Sequence, residues 1–254
     1  MTADHIRVVD LETTGFAPPD HAPCEIAFCD LFANATDLTG APADWRVDFG
    51  YGYLCQPGRP IPPETSAIHH IVDEDVAKAR PWAEVLGDIV GAPTDATVYA
   101  AHNARFERQW ITDESTGSAP WICTYKCALR LWPEAPSHSN QALRYWRKPQ
   151  GLDRAVANVA HRAYPDAYVT AFLLRDMLEL TTVEQLVEWS SEPALLAKIP
   201  FGDLRGQPWS AADEGLLRWV LRKDFNEDVH FTARAELAKR EREGAHDFDE
   251  DDAA

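Results

Sequence analysis

Asp10 and Glu12 are the first residues of the chain whose types and spacing suit chemistry. They lie in Val8-Val9-Asp10-Leu11-Glu12-Thr13-Thr14-Gly15, a β-branched run that reads as the end of a buried strand. Side chains alternate across a strand, so the two carboxylates share one face and Leu11 takes the other. Thr14-Gly15, followed by Ala17-Pro18-Pro19, closes the strand in a turn. Two carboxylates at a sheet's end repel each other unless something positive lies between them. A hard divalent cation such as Mg²⁺ takes oxygen ligands and fits that role. From this octet alone, two solvated acids beside a turn is the competing reading.

Two further stretches carry polar groups where chemistry can occur. In Ala101-His102-Asn103-Ala104-Arg105-Phe106-Glu107, Asn103 is a natural N-cap, and Glu107 would project from the first or second turn of the helix that follows. Taken alone, Glu107 reads as a helix acid complementing the dipole. In His161-Arg162-Ala163-Tyr164-Pro165-Asp166, Pro165 suits the first turn of a helix, which puts Asp166 at the helix start and His161 in the loop before it. A lone histidine there is ordinarily a surface or capping residue.

The elements that must position these groups follow from the hydrophobic pattern. After the first strand, Cys24 to Leu31 reads as a second strand and Trp45 to Leu54 contains a third, with Val47, Phe49, Tyr51 and Tyr53 alternating; together they suggest an antiparallel meander. Ile61-Pro62-Pro63-Glu64 leads into a short helix carrying Ala67 to Ile71. Asp73-Glu74-Asp75-Val76 reads as a helix start, and Pro81 to Leu86 opens another helix. Strand and helix then alternate: strands at Ala96–Ala101 and Trp121–Thr124, helices at Ala104–Ile111 and Tyr125–Leu131. Further helices follow Asn140, run from about Pro165 to Leu180, and cover Thr182 to Trp189. A meander followed by such alternation predicts an α/β fold, a mixed sheet flanked by helices.

Composition bounds the rest. The chain has 254 residues, 45% of them hydrophobic and nine of them Trp, enough for a sizeable core. No run of about 18 apolar residues exists to span a membrane, and no signal-peptide pattern opens the chain. Five cysteines without a C-x-x-C pair argue against a disulfide framework or thiolate zinc site, and for buried free thiols in a reducing cytoplasm. The formal net charge of −17 opposes nucleic-acid binding, which rests on Lys and Arg neutralising phosphates. The Asp247-Phe248-Asp249-Glu250-Asp251-Asp252 run reads as part of a disordered, solvated tail spanning 245–254.

Taken together and in this order, Asp10 with Glu12, then His-Asn-Ala-Arg-Phe-Glu, then His-Arg-Ala-Tyr-Pro-Asp resemble the three motifs of the DEDDh (DnaQ-like) 3′–5′ exonuclease superfamily. Ile61 to Ile71 is similar to the segment between that family's first two motifs. The resemblance is nearest to its exodeoxyribonuclease X branch, through Trp121-Ile122-Cys123-Thr124, Leu131-Trp132-Pro133, Ser139-Asn140 and Phe201-Gly202-Asp203-Leu204-Arg205-Gly206. It covers residues from about 5 to 225.

The resemblance implies an RNase H-like fold with a mixed five-stranded sheet. By the same analogy Asp10, Glu12 and Asp166 hold one Mg²⁺ or Mn²⁺, and Asp10 with Glu107 helps to place a second. Two such ions about 4 Å apart stabilise both the attacking and the leaving oxygen of an in-line displacement. His161 is the implied general base, since an ordinary imidazole pKa of about 6.5 suits taking a proton from water near neutral pH. Thr13, Thr14, Gly15 and Asn103 are expected near the terminal nucleotide. One position departs from the family pattern, which usually has Asp where this chain has Glu107. The extra methylene moves the carboxylate by roughly 1.5 Å, a shift that a ligand working partly through water absorbs.

The implied function is metal-dependent 3′–5′ exonuclease action on single-stranded or duplex DNA 3′ ends, releasing nucleoside 5′-monophosphates in DNA repair or end trimming. Alternatives are an exoribonuclease, a replicase proofreading subunit, or an inactive nuclease-fold scaffold. The domain reading is 1–192 for the exonuclease and 193–244 for a small accessory domain. That second region resembles the end of exodeoxyribonuclease X-like proteins, yet carries Asp203 where related sequences tend to be basic. DNA holding and a packing or protein-contact role both fit it.

Overall fold

The computed structural model of the chain describes residues 4–90 and 96–251. Six strands form one mixed sheet: β1 (His5–Thr13), β2 (Pro23–Thr36), β3 (Pro42–Gln56), β4 (Arg80–Pro81), β5 (Val98–Ala101) and β6 (Trp121–Cys123), in the order β4-β3-β2-β1-β5-β6. The meander β1-β2-β3 is antiparallel, while β5 joins β1 and β6 joins β5 in parallel. The α/β class and mixed sheet match expectation; the strand count is six rather than five. The extra strand is the two-residue β4, paired in parallel with Cys55 and Gln56. Its Pro81 has no N–H to give a ladder and is tolerated because β4 is the edge.

The helices are α1 (Pro63–His69), α2 (Asp73–Val76), α3 (Trp82–Ile89), α4 (Asp113–Thr116), α5 (Thr124–Leu131), α6 (Asn140–Arg147), α7 (Arg154–Ala157), α8 (Ala163–Leu178), α9 (Val183–Ser191), α10 (Glu214–Val220) and α11 (Glu227–Asp251). The chain divides into two compact units, residues 1–128 with 135–191, and residues 129–134 with 192–254.

In the first unit, alternation along β1 sends Val9 and Leu11 into a core shared with Ile26, Val85, Ile89, Tyr99, Trp110 and Ile111. The opposite face, which carries Asp10 and Glu12, is covered by α8, packed across β1, β2 and β3. Ten of the 16 residues of α8 are buried, including Phe172, Leu173, Leu174 and Met177. Each of these side chains contributes about 1.5–3 kcal/mol by leaving water, so the first turn of α8 is anchored firmly over the acid-bearing strand. Gly50 makes this approach possible. A Cβ there would lie 2.2 Å from the Phe28 carbonyl oxygen and 2.8 Å from the Tyr164 ring.

One predicted element is different. Ala104–Ile111 is not an α-helix but a series of turns with a short 3₁₀ turn at Glu107–Gln109. Asn103 lies at φ +71°, in the left-handed region that Asn tolerates, whereas an N-cap needs extended backbone. Ala104, Glu107, Trp110 and Ile111 are still buried together, so the apolar spacing was real while the backbone closes by mixed i+3 and i+4 hydrogen bonds.

The second unit has its own apolar core of Ile199, Trp209, Leu217, Val220, Val229 and Ala233. Backbone up to Asp251 belongs to α11; of the acidic stretch 245–254, residues 252–254 lie outside the described residues. All five cysteines are buried and free. Among the described residues, no helix is long and apolar enough to cross a membrane.

Candidate active site

Asp10 and Glu12 leave β1 opposite Ala27 and Glu25 of β2, and Asp166 meets them from the first turn of α8. Each offers an oxygen within 4.8 Å of the others. Among the described residues none of the three forms an ion pair. Burial, and then repulsion from Asp166, Glu12 and Glu107, holds the Asp10 carboxyl well above the usual range. Glu12 is pushed up to about 8 by burial and by Asp166 and Glu25, with Arg162 pulling the other way. Asp166 is raised mainly by burial. Crowded, unneutralised carboxylates are a hard-oxygen donor set, and a divalent cation is the group that relieves them.

Glu107 lies beside this trio rather than within it. Its residue is 3% exposed, and its Oε2 is buried without a hydrogen-bond partner. Burial is the largest cause that pushes its pKa up to about 8, with Glu12 adding to the shift. A buried, unsatisfied carboxylate oxygen is costly unless a cation or a water-mediated ligand completes it.

Asp166 is held in place at both oxygens. Gln141 Nε2 donates to Oδ1 at 2.7 Å, and the His161 backbone N–H donates to Oδ2 at 2.7 Å. His161 has φ +60° and an exposed side chain, so the loop presents its imidazole outward while its backbone grips Asp166. That loop is fixed at both ends. Arg144, on α6, donates to the Ala157 carbonyl and, at 2.7 Å, to Asn158 Oδ1. On the other side the Arg162 fork meets Glu25 at 2.9 and 2.6 Å, and the Ala163 N–H donates to the same carboxylate at 3.0 Å.

Sequence reasoning passed over Glu25, Gln141, Arg144 and Arg162. The available signal was an acid in a buried strand, since a buried charge requires a partner; the partner lies 137 residues away, beyond any local pattern.

The turn residues divide by role. Thr13 Oγ1 donates to the Gly15 carbonyl at 2.6 Å. Thr14 is buried, and its Oγ1 accepts the Ala22 N–H at 3.0 Å. At Gly15 a Cβ would meet the His21 ring at 2.1 Å, so only glycine fits. Asn103 is exposed at the end of β5. His102, next to it, is structural: its Nε2–H donates to the His138 carbonyl at 2.9 Å, its Nδ1 lies 3.0 Å from Thr124 Oγ1, and burial pushes its pKa down to about 4.

Residues 8–174 match the family of RNase T-type exonucleases. Exodeoxyribonuclease 10 of Escherichia coli (strain K12) is 35% identical over 226 residues, covering 85% of this chain and 90% of the relative. The DNA polymerase III subunit epsilon of Treponema pallidum (strain Nichols) is 29% identical over 179 residues, covering 66% and 74%. A solved structure of exonuclease X in complex with 5′ overhanging duplex DNA superposes with a TM-score of 0.55 at 32% identity, over 73% of this chain and 99% of that one. The three motifs, the mixed sheet and the acid cluster therefore agree with the match, and the chain belongs to the exonuclease family.

Proposed function

We propose that this chain is a metal-dependent 3′–5′ exonuclease that hydrolyses DNA from its 3′ end to nucleoside 5′-monophosphates, in DNA repair or end trimming. The observation that carries the reading is the meeting of Asp10, Glu12 and Asp166 oxygens within 4.8 Å, with the buried Glu107 beside them. DNA as substrate is supported by the relatives, an exodeoxyribonuclease and an exonuclease X solved with duplex DNA. In this reading the domain 1–192 carries the chemistry and 193–244 is the accessory domain. Five buried free thiols support work in a reducing compartment, read here as the cytoplasm.

Asp10, Glu12 and Asp166 would hold one Mg²⁺ or Mn²⁺, and Asp10 with Glu107 would serve a second. Bound there, such ions supply Lewis-acid stabilisation of charge at the scissile phosphate. His161 acts as general base, its exposed imidazole taking a proton from the attacking water. Gln141 and the His161 N–H keep Asp166 in a single orientation, so that little reorganisation is needed at the moment of reaction. Thr13, Gly15 and Asn103 face the terminal nucleotide, and Thr14 holds the turn that presents them.

The test is to incubate the protein with Mg²⁺ or Mn²⁺ and matched single-stranded DNA, duplex DNA and RNA, each labelled at the 5′ end. The expected result is a ladder of DNA fragments shortening from the 3′ end, abolished by EDTA. No shortening of any substrate overturns the reading, and shortening of RNA alone overturns its DNA component.

A further inference from the structure

The acid cluster accounts for breaking a terminal bond, but a chain of net charge −17 must still hold a polyanion. At physiological ionic strength exposed charges are screened beyond about 8 Å, so local fields decide where phosphates can lie. One cleft in the first unit, of about 380 Å³, is lined by Arg144, Tyr145, Lys148, Pro149, Leu152 and Arg154. It contains three cations and no carboxylate. Elsewhere in this unit Arg7, Arg46, Arg80 and Arg108 each face an aspartate. Arg144, Lys148 and Arg154 make no ion pair among the described residues.

Arg144 is the buried wall of this cleft, 4% exposed. Its hydrogen-bond partners are all neutral: the Ala157 carbonyl, Asn158 Oδ1 and Gln141 Oε1. Neutral acceptors orient a guanidinium without cancelling its charge. Lys148 and Arg154 are exposed. The Tyr145 ring is 59% exposed and has the Arg144 guanidinium 4.8 Å from its centroid, so it is braced for stacking. The cleft is also joined to the acid cluster, because Arg144 donates to Gln141 at 3.0 Å and Gln141 donates to Asp166 at 2.7 Å.

We propose that this cleft binds the phosphodiester backbone of the nucleic acid, with Arg144, Lys148 and Arg154 facing phosphates and Tyr145 offering its ring to a base. The proposal rests on the exonuclease reading above and deepens it by naming where an otherwise acidic molecule holds its substrate. Base–aromatic stacking beside a cationic track is the general solution for single strands, and the absence of carboxylates distinguishes this cleft from three others of the first unit, lined in part by Asp37 and Glu179, by Glu25, and by Asp113.

The test is fluorescence anisotropy of a 5′-labelled oligothymidine in EDTA across a salt series, with the full chain as wild type, K148Q/R154Q, and R59Q/K78Q as a matched charge change at exposed residues outside the cleft. Each lost phosphate contact lowers the slope of log K against log salt by about 0.7 for a single strand, so K148Q/R154Q is expected to lose about 1.4 in slope and on the order of tenfold in affinity at low salt. R59Q/K78Q should keep the wild-type slope. With Mg²⁺, KM for the oligonucleotide should rise in K148Q/R154Q more than kcat falls. Running the series on duplex DNA separates the strand being shortened from its complement: a loss confined to duplex assigns the cleft to the complement.

A slope in K148Q/R154Q equal to wild type on both oligothymidine and duplex DNA, or a wild type that binds neither at low salt, overturns the cleft. A wild type whose binding depends on Lys148 and Arg154 but which shortens no DNA with Mg²⁺ overturns the exonuclease reading instead.

Discussion

The two ends of β1 treat acids in opposite ways. Near its start, Asp30 of β2 sits in register with Arg7, is buried, and receives the Arg7 fork at 2.8 and 2.6 Å, with His5 at 3.3 Å. Burial alone would raise its pKa, but hydrogen bonds and charge from Arg7 and His5 more than offset that and hold it below the usual value. At the other end, Glu12 sits in register with Glu25, and Glu25 takes the Arg162 guanidinium. Asp10, Glu12, Asp166 and Glu107 keep raised pKa values. One end of β1 therefore meets a neutralised acid on β2 that serves the fold, and the other carries acids without an ion-pair partner, a set compatible with a divalent cation. Strong pKa perturbation without a built-in counter-charge is how the functional end is recognised.

The largest effect expected is on rate. His161→Gln should keep the fold by circular dichroism and cut hydrolysis by roughly 10²–10⁴, the range for loss of a general base. An unchanged rate would remove His161 from the chemistry.

The comparison itself is broken or upheld by stability. Asp30→Asn strands the buried Arg7 and should cost about 3–5 kcal/mol in denaturant unfolding. Asp10→Asn removes a repelled acid and should stabilise the protein in EDTA at pH 8. Destabilisation of both variants to the same degree would mean that the two ends are electrostatically alike.

Glu107→Gln should lower activity by about 10–100-fold, as for a residue acting on a metal site through an outer shell, while stabilising the EDTA-treated protein at pH 8. A wild-type rate would exclude Glu107 from the site.

The smallest effect is a slope in pH. Because the folded carboxyls at Glu12 and Glu107 hold protons up to about 8, the folded state binds more protons than the unfolded chain between about pH 4.5 and 8. Stability in EDTA should therefore fall as pH rises through that window, and Mg²⁺ should restore it. Asp30 has the opposite sign: its contribution is present above its unfolded pKa and is lost as pH falls through the lower folded one. Thermal unfolding with and without EDTA, at steps from about pH 2 to 8.5, reads both.

Much of the arrangement was legible locally. The Val8–Gly15 octet showed strand, shared face and turn together, because a period of two and a Thr-Gly stop are short-range signals. Pro165 placed Asp166 in the first turn of α8 for the same kind of reason. The Ala104–Ile111 stretch misled because its apolar spacing is helical while Asn103 turns left-handed, a backbone choice without a periodic signature. The Glu25–Arg162 pair and the Arg144–Gln141–Asp166 chain were invisible because each joins residues distant in sequence, and their residue types alone are those of an ordinary polar surface. The two-residue β4 is too short to leave a pattern.

The central claim, that these acids form a divalent-cation site, is tested most directly by titrating Mn²⁺ into EDTA-stripped, dialysed protein at pH 7 by calorimetry in buffers of different ionisation enthalpy. The account predicts saturable binding accompanied by proton release, since Glu12 and Glu107 must give up protons that they hold at this pH, with both the binding and the release lost or sharply reduced in Asp10→Asn. An isotherm with no proton release, or one that is the same in Asp10→Asn as in wild type, would contradict it.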